Sequence, residues 1–420
     1  MESINICRDN WAYLRRCHTA VYRGPKESMI LKAYRYRIYP TAEQEWVFAQ
    51  HFGSCRFVYN HFLDLRKTAW GQDKQSISGF DCKKMLPALK QQFPWLSEIN
   101  SQSLQAAVLN LESAYKRFFK GIGKYPRFHK KQTRQAFTVP QHFMLAAGLL
   151  RIPKLQSQIK VRMHRQLEGS PKTLTVIKEC SGKYYVSVTC ECDDPLKLPL
   201  SDSPVGVDLG LKDYAVLSTG EKIEHPKWLR QSEMRLARQQ RRLTRKQRGS
   251  NNRIKARLQV AQLHEKVSNQ RQDFLHKLSY RLINENQVVS IEGLRVSNMV
   301  HNRHLSKAIS DSGWGEFARQ LQYKAEWYGR TVKVLDTFYP SSKTCSTCGV
   351  VNKNLKLSHR EWGCLKCGTV HDRDHNAAVN IDIIGRDTPE VTPAERRAAA
   401  VSILSMRQVR STKQEALASQ

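Results

Sequence analysis

The sequence predicts a multidomain protein in which an α+β unit is followed by an α/β unit, and three observations lead there. A sharply alternating stretch at residues 30–39 gives way to helical periodicity as far as about residue 120, after which strand-like segments return. From residue 205 short apolar strands alternate with helical segments, the pattern of a layered α/β fold. Two Cys-x-x-Cys pairs near residue 350 add a small metal-bound ribbon.

Taken in order, residues 1–28 carry Arg15, Arg16, Arg23 and Lys26 without a clear period and read as an N-terminal extension, so that either Met1 or Met29 can be the true start. Ile30 to Tyr39 alternates apolar and polar residues and ends at Pro40, which reads as a strand. From Thr41 the pattern is helical, most clearly at Leu104, Val108, Leu111, Tyr115 and Phe118, until Gly121 and Gly123 close it. Strands resume after the basic Pro126-Arg127-Phe128-His129-Lys130-Lys131, with a hairpin of Leu174 to Ile177 and Tyr184 to Thr189 turning at Ser181-Gly182-Lys183. A helical block is thus inserted in a β domain. Asp193 to Pro204, with three prolines, reads as a linker.

The second unit opens with Val205-Gly206-Val207-Asp208-Leu209-Gly210, a buried-type strand with one acid, and continues in Tyr214 to Gly220. Next comes a long helical pair turning at Gly249 to Asn252. Its first helix sets Leu229, Leu236 and Leu243 on one stripe and Arg235, Arg238, Arg242 and Arg245 on another. Residues 235–257 hold ten Lys/Arg and no acid, and such mutually repelling cations point to phosphate contact more than to a solvated face. Strands at Val288 to Glu292 and Thr331 to Leu335 flank a helix with Trp314, Phe317, Leu321 and Tyr328. The alanine-rich tail, residues 388–420, reads as flexible.

Composition narrows the partner. Lys and Arg number 69 against 37 acids in 420 residues, a formal charge of +32, which calls for a polyanion. With no apolar run of about 18 residues and no secretory leader, that polyanion is nucleic acid and not a membrane. Eleven cysteines without framework spacing fit a reducing, cytoplasmic setting. Cys345, Cys348, Cys364 and Cys367 form the exception: two knuckles enclosing fifteen residues, each followed by glycine, supply the four thiolates of a closed structural zinc site.

Carboxylates form the second constellation. Asp208 lies in one strand, Glu292 ends another, and His371-Asp372-Arg373-Asp374-His375-Asn376-Ala377-Ala378 follows the ribbon as a polar helix start, with Asp374 a plausible N-cap on its own. Three acids from three elements of one α/β fold are what two-metal phosphodiester cleavage needs, because they must bridge and flank two Mg2+ ions about 4 Å apart.

With those residues in view, the chain resembles the TnpB family, proteins of bacterial and archaeal insertion sequences that are similar to the ancestors of type V CRISPR effectors. The resemblance runs from about residue 29 to 384 and rests on several motifs. They are Tyr36-Arg37-Ile38-Tyr39-Pro40, Arg56-Phe57-Val58-Tyr59-Asn60, Gly206-Val207-Asp208-Leu209-Gly210, Arg271 to Ser279, Ile291-Glu292-Gly293-Leu294, the four cysteines and Asp372 to Ala378. It implies a wedge-like β-barrel (residues 29–40 and 121–195) with an inserted helical recognition block (41–120). A RuvC/RNase H-like nuclease domain (203–340 and 371–387) with an inserted zinc ribbon (341–370) would follow. It further implies a guide RNA transcribed from the transposon end, one protein chain per RNA, and double-stranded target DNA cut beside a short target-adjacent motif in a prokaryotic, nucleoid-associated setting.

Carried onto this chain, the catalytic Mg2+ ligands fall on Asp208, Glu292 and Asp374, the last because the family's acid stands two residues before Asn-Ala-Ala, with Asp372 as the fallback. Motif reading falls near Ser101, Gln102, Gln105 and Thr138, and the amides of Gln102 and Gln105 can pair with adenine or equally be solvated. Three rivals share part of the pattern: a non-cutting RNA-guided repressor or transposition regulator, a guide-independent structure-selective nuclease, and a strand transferase. The intact acids speak against the first, and the extra helical and β domains against the second; the family motifs speak against the third.

Overall fold

A computed structural model describes residues 29–193, 197–337, 339–356 and 358–387. The expected N-terminal extension and flexible tail lie outside the described residues.

The alternating stretch forms β1 (Ile30–Tyr39), with Tyr34, Tyr36 and Ile38 buried on one face. Thr41 then starts α1 (Ala42–Asp73) with a capping box: its hydroxyl accepts from Gln44 N while the Gln44 side chain accepts from Thr41 N. Helices α2 (Gly79–Gln92) and α3 (Ser101–Phe119) complete the helical block. Strands β2 (Gln135–Val139), β3 (Met144–Ala146), β4 (Leu149–Arg151), β5 (Ile159–Arg162), β6 (Ser170–Lys178) and β7 (Tyr184–Cys192) join β1 in one sheet of order β2-β6-β7-β1-β5-β4-β3. Sheet and helices share one apolar core, in which Phe48 and Phe52 of α1 meet Phe137 of β2 at ring-centre distances of 5.8 and 5.3 Å.

This sheet is a half-barrel, the form in which the wedge-like β-barrel implied by the resemblance is seen. Its outer strands β2 and β3 are joined by residues 140–143 alone, a link that reaches at most about 18 Å, so the edges are drawn toward each other. No ladder joins them among the described residues. Pro140 ends β2 without an N–H to offer, and β3 has only three residues with which to pair.

The second sheet runs β10-β9-β8-β11-β12, built from β8 (Pro204–Leu209), β9 (Asp213–Leu217), β10 (Lys222–Glu224), β11 (Val288–Glu292) and β12 (Thr331–Leu335). The first three are antiparallel, whereas β8, β11 and β12 are parallel. Between β10 and β11 stand α4 (Trp228–Thr244) and the 35-residue α5 (Asn251–Glu285). Between β11 and β12 stand α6 (Val296–Met299), α7 (Ser306–Ser312) and α8 (Trp314–Tyr328). The ribbon's hairpin, β13 (Glu361–Gly363) and β14 (Val370–Asp372), leads straight into α9 (Arg373–Asp387).

Helix α9 lies so close to the sheet that a Cβ at Gly206 would stand 2.1 Å from Ala378 O, and one at Gly385 would stand 1.9 Å from Ser290 Oγ. Glycine is therefore required at both places to bring α9 over β8 and β11. The two halves meet at Glu265 of α5, which accepts from Lys183 Nζ at 2.8 Å and Tyr185 Oη at 2.7 Å on the β6–β7 hairpin. No helix among the described residues is long and apolar enough to cross a membrane.

Candidate active site and metal centre

The register of β8 and β11 pairs Val207 with Ile291, so the next step along both strands sets Asp208 beside Glu292 at their carboxyl ends, where open α/β sheets bind ligands. Helix α9 supplies Asp374 to the same cluster. Burial, then repulsion from Glu292 and Asp374, pushes the Asp208 carboxyl well above the usual carboxylate range, with Arg373 opposing. Three carboxylates in such mutual repulsion form a donor set that suits hard cations with oxygen ligands.

Asp372 and Asp374 are differently engaged. Asp372 Oδ1 accepts from the backbone of Asp374 at 3.1 Å and His375 at 3.0 Å, and its Oδ2 accepts from Lys222 Nζ at 2.7 Å. Burial favours the neutral acid, yet these donors outweigh it and hold Asp372 below the usual range. The N-cap role suggested for Asp374 thus falls to Asp372, because the side chain preceding the first helical residue is the one that can reach those N–H groups. Asp374 itself meets Arg360 of the ribbon at 3.1 Å. Glu292 Oε1 accepts from Ser341 Oγ at 2.5 Å.

The four cysteines converge, with all Sγ atoms within 4.8 Å of one another. Cys345 and Cys367 are 3.6 Å apart and Cys348 and Cys364 3.5 Å, close to the roughly 3.8 Å edge of a tetrahedral zinc–thiolate set. Each knuckle is built alike. Gly349 N donates to Cys345 O and Gly368 N to Cys364 O, both at 2.9 Å, and both glycines have positive φ, 73° and 74°. His371 Nε2 lies 3.0 Å from Cys345 Sγ, where its proton can serve the thiolate.

The predicted nucleic-acid residues lie elsewhere. Arg235, Arg238 and Arg242 are exposed along α4 and Arg245 caps its end, and none of the four is ion-paired among the described residues. Arg235 also lines a polar groove with Gln239, Gln259, Gln262, Leu263 and Lys266. Ser101, Gln102 and Gln105 open α3, and Thr138 lies on the adjacent edge strand β2. Gln102 Nε2 donates to Gln141 Oε1 at 3.1 Å, tying the first turn of α3 to the connection after β2. Ser101 Oγ accepts from Lys90 at 2.6 Å, and Thr138 Oγ1 is 3.2 Å from Thr175 Oγ1.

Sequence reasoning missed Lys222, Ser341, Arg360 and His371, all of which touch an acid or a cysteine of these clusters. Only His371 stood in a quoted motif; the others sit in loops or a short strand whose proximity depends on the tertiary fold.

Three families match parts of the chain: one described as "Probable transposase" over residues 187–303, a Cas12f1-like TNB domain over 314–381, and a helix-turn-helix domain over 29–75. Among curated relatives, the chain is 43% identical to a protein of Streptomyces pristinaespiralis provisionally named RNA-guided DNA endonuclease, over 84% of this chain and 89% of that one. It is 33% identical to a relative in Escherichia coli (strain K12) with the same provisional name, InsQ, over 84% and 91%. A solved Cas12f1 chain, in complex with sgRNA and target DNA, is similar at 16% identity over 84% of this chain and 99% of that one, with a TM-score of 0.34.

Proposed function

The chain belongs to the TnpB family, and from that premise we propose that it is an RNA-guided DNA endonuclease of an insertion sequence, cutting beside a short target-adjacent motif. The observation that carries the chemistry is the pair Asp208 and Glu292, abreast on adjacent parallel strands, with Asp374 brought to them by α9. Residues 203–340 and 371–387 act as the RuvC-like nuclease, 341–370 as its zinc ribbon, 29–40 and 121–195 as the wedge, and 41–120 as the recognition block.

Asp208, Glu292 and Asp374 would hold two Mg2+ ions, while Cys345, Cys348, Cys364 and Cys367 would hold one Zn2+. When bound, the Mg2+ pair supplies an activated water and neutralises the leaving oxygen of the phosphodiester. The chain's own side chains hold the acids for that task. Asp372 starts α9 and keeps Lys222 beside the cluster, Ser341 orients Glu292, and Arg360 offsets part of the charge on Asp374. Arg235, Arg238, Arg242 and Arg245 meet nucleic-acid backbone, and Ser101, Gln102, Gln105 and Thr138 read the motif. Nothing in the chain forms a protein code long enough to specify one genomic site, so pairing with the guide reads the target.

The test is plasmid cleavage with a randomised flank and two unrelated guides built on the RNA that copurifies with the protein. Cut sites follow the guide while the flanking motif stays constant, and Asp208→Ala, Glu292→Ala and Asp374→Ala each abolish cutting but keep target binding. Cut sites that ignore the guide would overturn the guided reading. Cutting retained in Asp374→Ala and lost in Asp372→Ala would transfer the third ligand role to Asp372.

A further inference from the structure

The segment from Ser341 to Ser346 is gripped from two sides. Its last residues include Cys345 of the first knuckle, and its backbone is held by two asparagines of α9. Asn380 Nδ2 donates to Ser341 O at 2.8 Å and Thr344 O at 2.7 Å, and Asn376 Nδ2 donates to Thr344 O at 2.7 Å. Asn376 Oδ1 accepts from Ser346 N at 3.0 Å. Both asparagines are almost wholly buried, at 2% and 4% exposure, so these bonds form where water does not compete. At its other end the same segment extends the Ser341 hydroxyl to Glu292 Oε1 at 2.5 Å.

A side chain of β11, the helix that carries Asp374 and the first cysteine knuckle therefore share six residues of backbone. Two amides spaced i, i+4 on one helix face make a rigid double clamp, and the clamped atoms are carbonyls and an N–H of the knuckle, not of the sheet. The small core of the ribbon, Leu355, Trp362, Cys345 and Cys364, contains no residue of α9. What the clamp adds is a fixed distance between the cysteine cluster and two of the three acids.

We propose that Ser341, Asn376 and Asn380 are positioning residues that couple the cysteine cluster to the acid cluster, so that a loaded zinc ribbon sets the Glu292 carboxylate and the Asp374 helix for divalent-ion binding. The coupling rests on the nuclease reading above. Being an equilibrium linkage it is reciprocal: an ion held by the acids raises the affinity of the cysteines for zinc.

The experiment uses the full chain with its copurified RNA and measures zinc release to a chromogenic chelator, with and without Mg2+, alongside the Mg2+ dependence of cleavage. In the wild type Mg2+ lowers the fraction of zinc that the chelator holds at equilibrium, and in Asp208→Ala it does not. Ser341→Ala abolishes the Mg2+ effect on zinc release and raises the Mg2+ concentration for half-maximal cutting about tenfold, more than it lowers the plateau rate, while Ser341→Thr restores both. Asn380→Leu increases zinc release even without Mg2+. Should Asn380→Leu fail to fold, Ser341→Ala, which removes one oxygen, carries the test alone. If the wild type cuts guided DNA but Ser341→Ala matches it in zinc release and Mg2+ dependence, the coupling is overturned and the nuclease reading stands. If the wild type cuts nothing and Mg2+ leaves its zinc release unchanged, the nuclease reading falls and the coupling with it.

Discussion

The acid cluster and the cysteine cluster lie on neighbouring stretches of one chain yet rest on different foundations. Asp208 and Glu292 are borne by strands whose other residues, Val205, Val207, Leu209, Val289 and Ile291, are buried in the large second core with Phe317, Leu321 and Tyr214. That sheet is stabilised by apolar burial, so the acids are held in repulsion by a scaffold indifferent to the ions. The cysteines have no such support. Apart from Cys345 and Cys364 themselves, the buried apolar side chains of the ribbon core are Leu355 and Trp362. One cluster thus uses the fold to impose charge repulsion, whereas the other would use a metal to obtain a fold.

The sharpest way to break that contrast is to remove each metal in turn. Stripping zinc, or replacing Cys364 with Ser, unfolds the ribbon, because structural zinc contributes on the order of 10 kcal/mol in small sites. Hydrogen exchange should then lose protection across residues 344–371, and elemental analysis should fall from close to one zinc per chain to none. Removing Mg2+ should leave exchange in β8 and β11 unchanged, and Asp208→Asn should raise the melting temperature of the Mg2+-free protein by relieving repulsion. Protection lost from β8 when Mg2+ is withdrawn would show that the two foundations are alike.

Much of this contrast is legible in the sequence, and the reason is local spacing. A Cys-x-x-Cys knuckle followed by glycine encodes its own turn, and the positive φ of Gly349 and Gly368 is the turn that the spacing demands. The alternation of residues 30–39 and the Leu104, Val108, Leu111, Tyr115 series likewise report the burial seen in β1 and α3. Asp208 and Glu292 stand out as acids in otherwise apolar strands, but that they lie abreast follows only from the β8–β11 register. The three-residue strands β3, β4, β10, β13 and β14 are too short to show a period. The open seam between β2 and β3 and the hydrogen bond from Ser341 depend on where distant segments meet, which periodicity does not carry, whereas the cap at Asp372 is a local choice between two acids two residues apart.

A smaller effect tests whether like-charge repulsion elsewhere is relieved in the same way. Arg238 and Arg242 of α4 stand in water and not in a cleft, so a partner that relieves them would be polyanionic backbone and not an ion held in place. Arg238→Glu with Arg242→Glu should weaken binding to the RNA–DNA complex and flatten the slope of log K against log salt by about two units, at roughly 0.9 for each duplex phosphate that is no longer neutralised. An unchanged slope would return the stripe to a solvated face.

The smallest effect concerns a buried cation, Lys324, in the core that supports the acids. Lys324 of α8 is 6% exposed, and no carboxylate pairs with it among the described residues. Its Nζ donates to His276 O and Ser279 Oγ, both at 2.7 Å. Burial pulls it down to about 8 from the ordinary lysine value of 10.5. A base whose folded pKa lies below its unfolded one is penalised where it is protonated in both states, that is below about pH 8. Between there and 10.5 the folded chain releases its proton first, so the penalty fades as pH rises. Lys324→Met has no proton to release. Thermal melts of the two proteins should therefore diverge with pH, the wild type gaining on the variant between pH 7 and pH 10 whatever their offset at neutrality, since the slope comes from the shifted titration alone. A constant difference would mean that Lys324 titrates as it does in water. The second core would then hold the Lys324 ammonium without penalty, and charge held at a cost would be confined to the acid cluster.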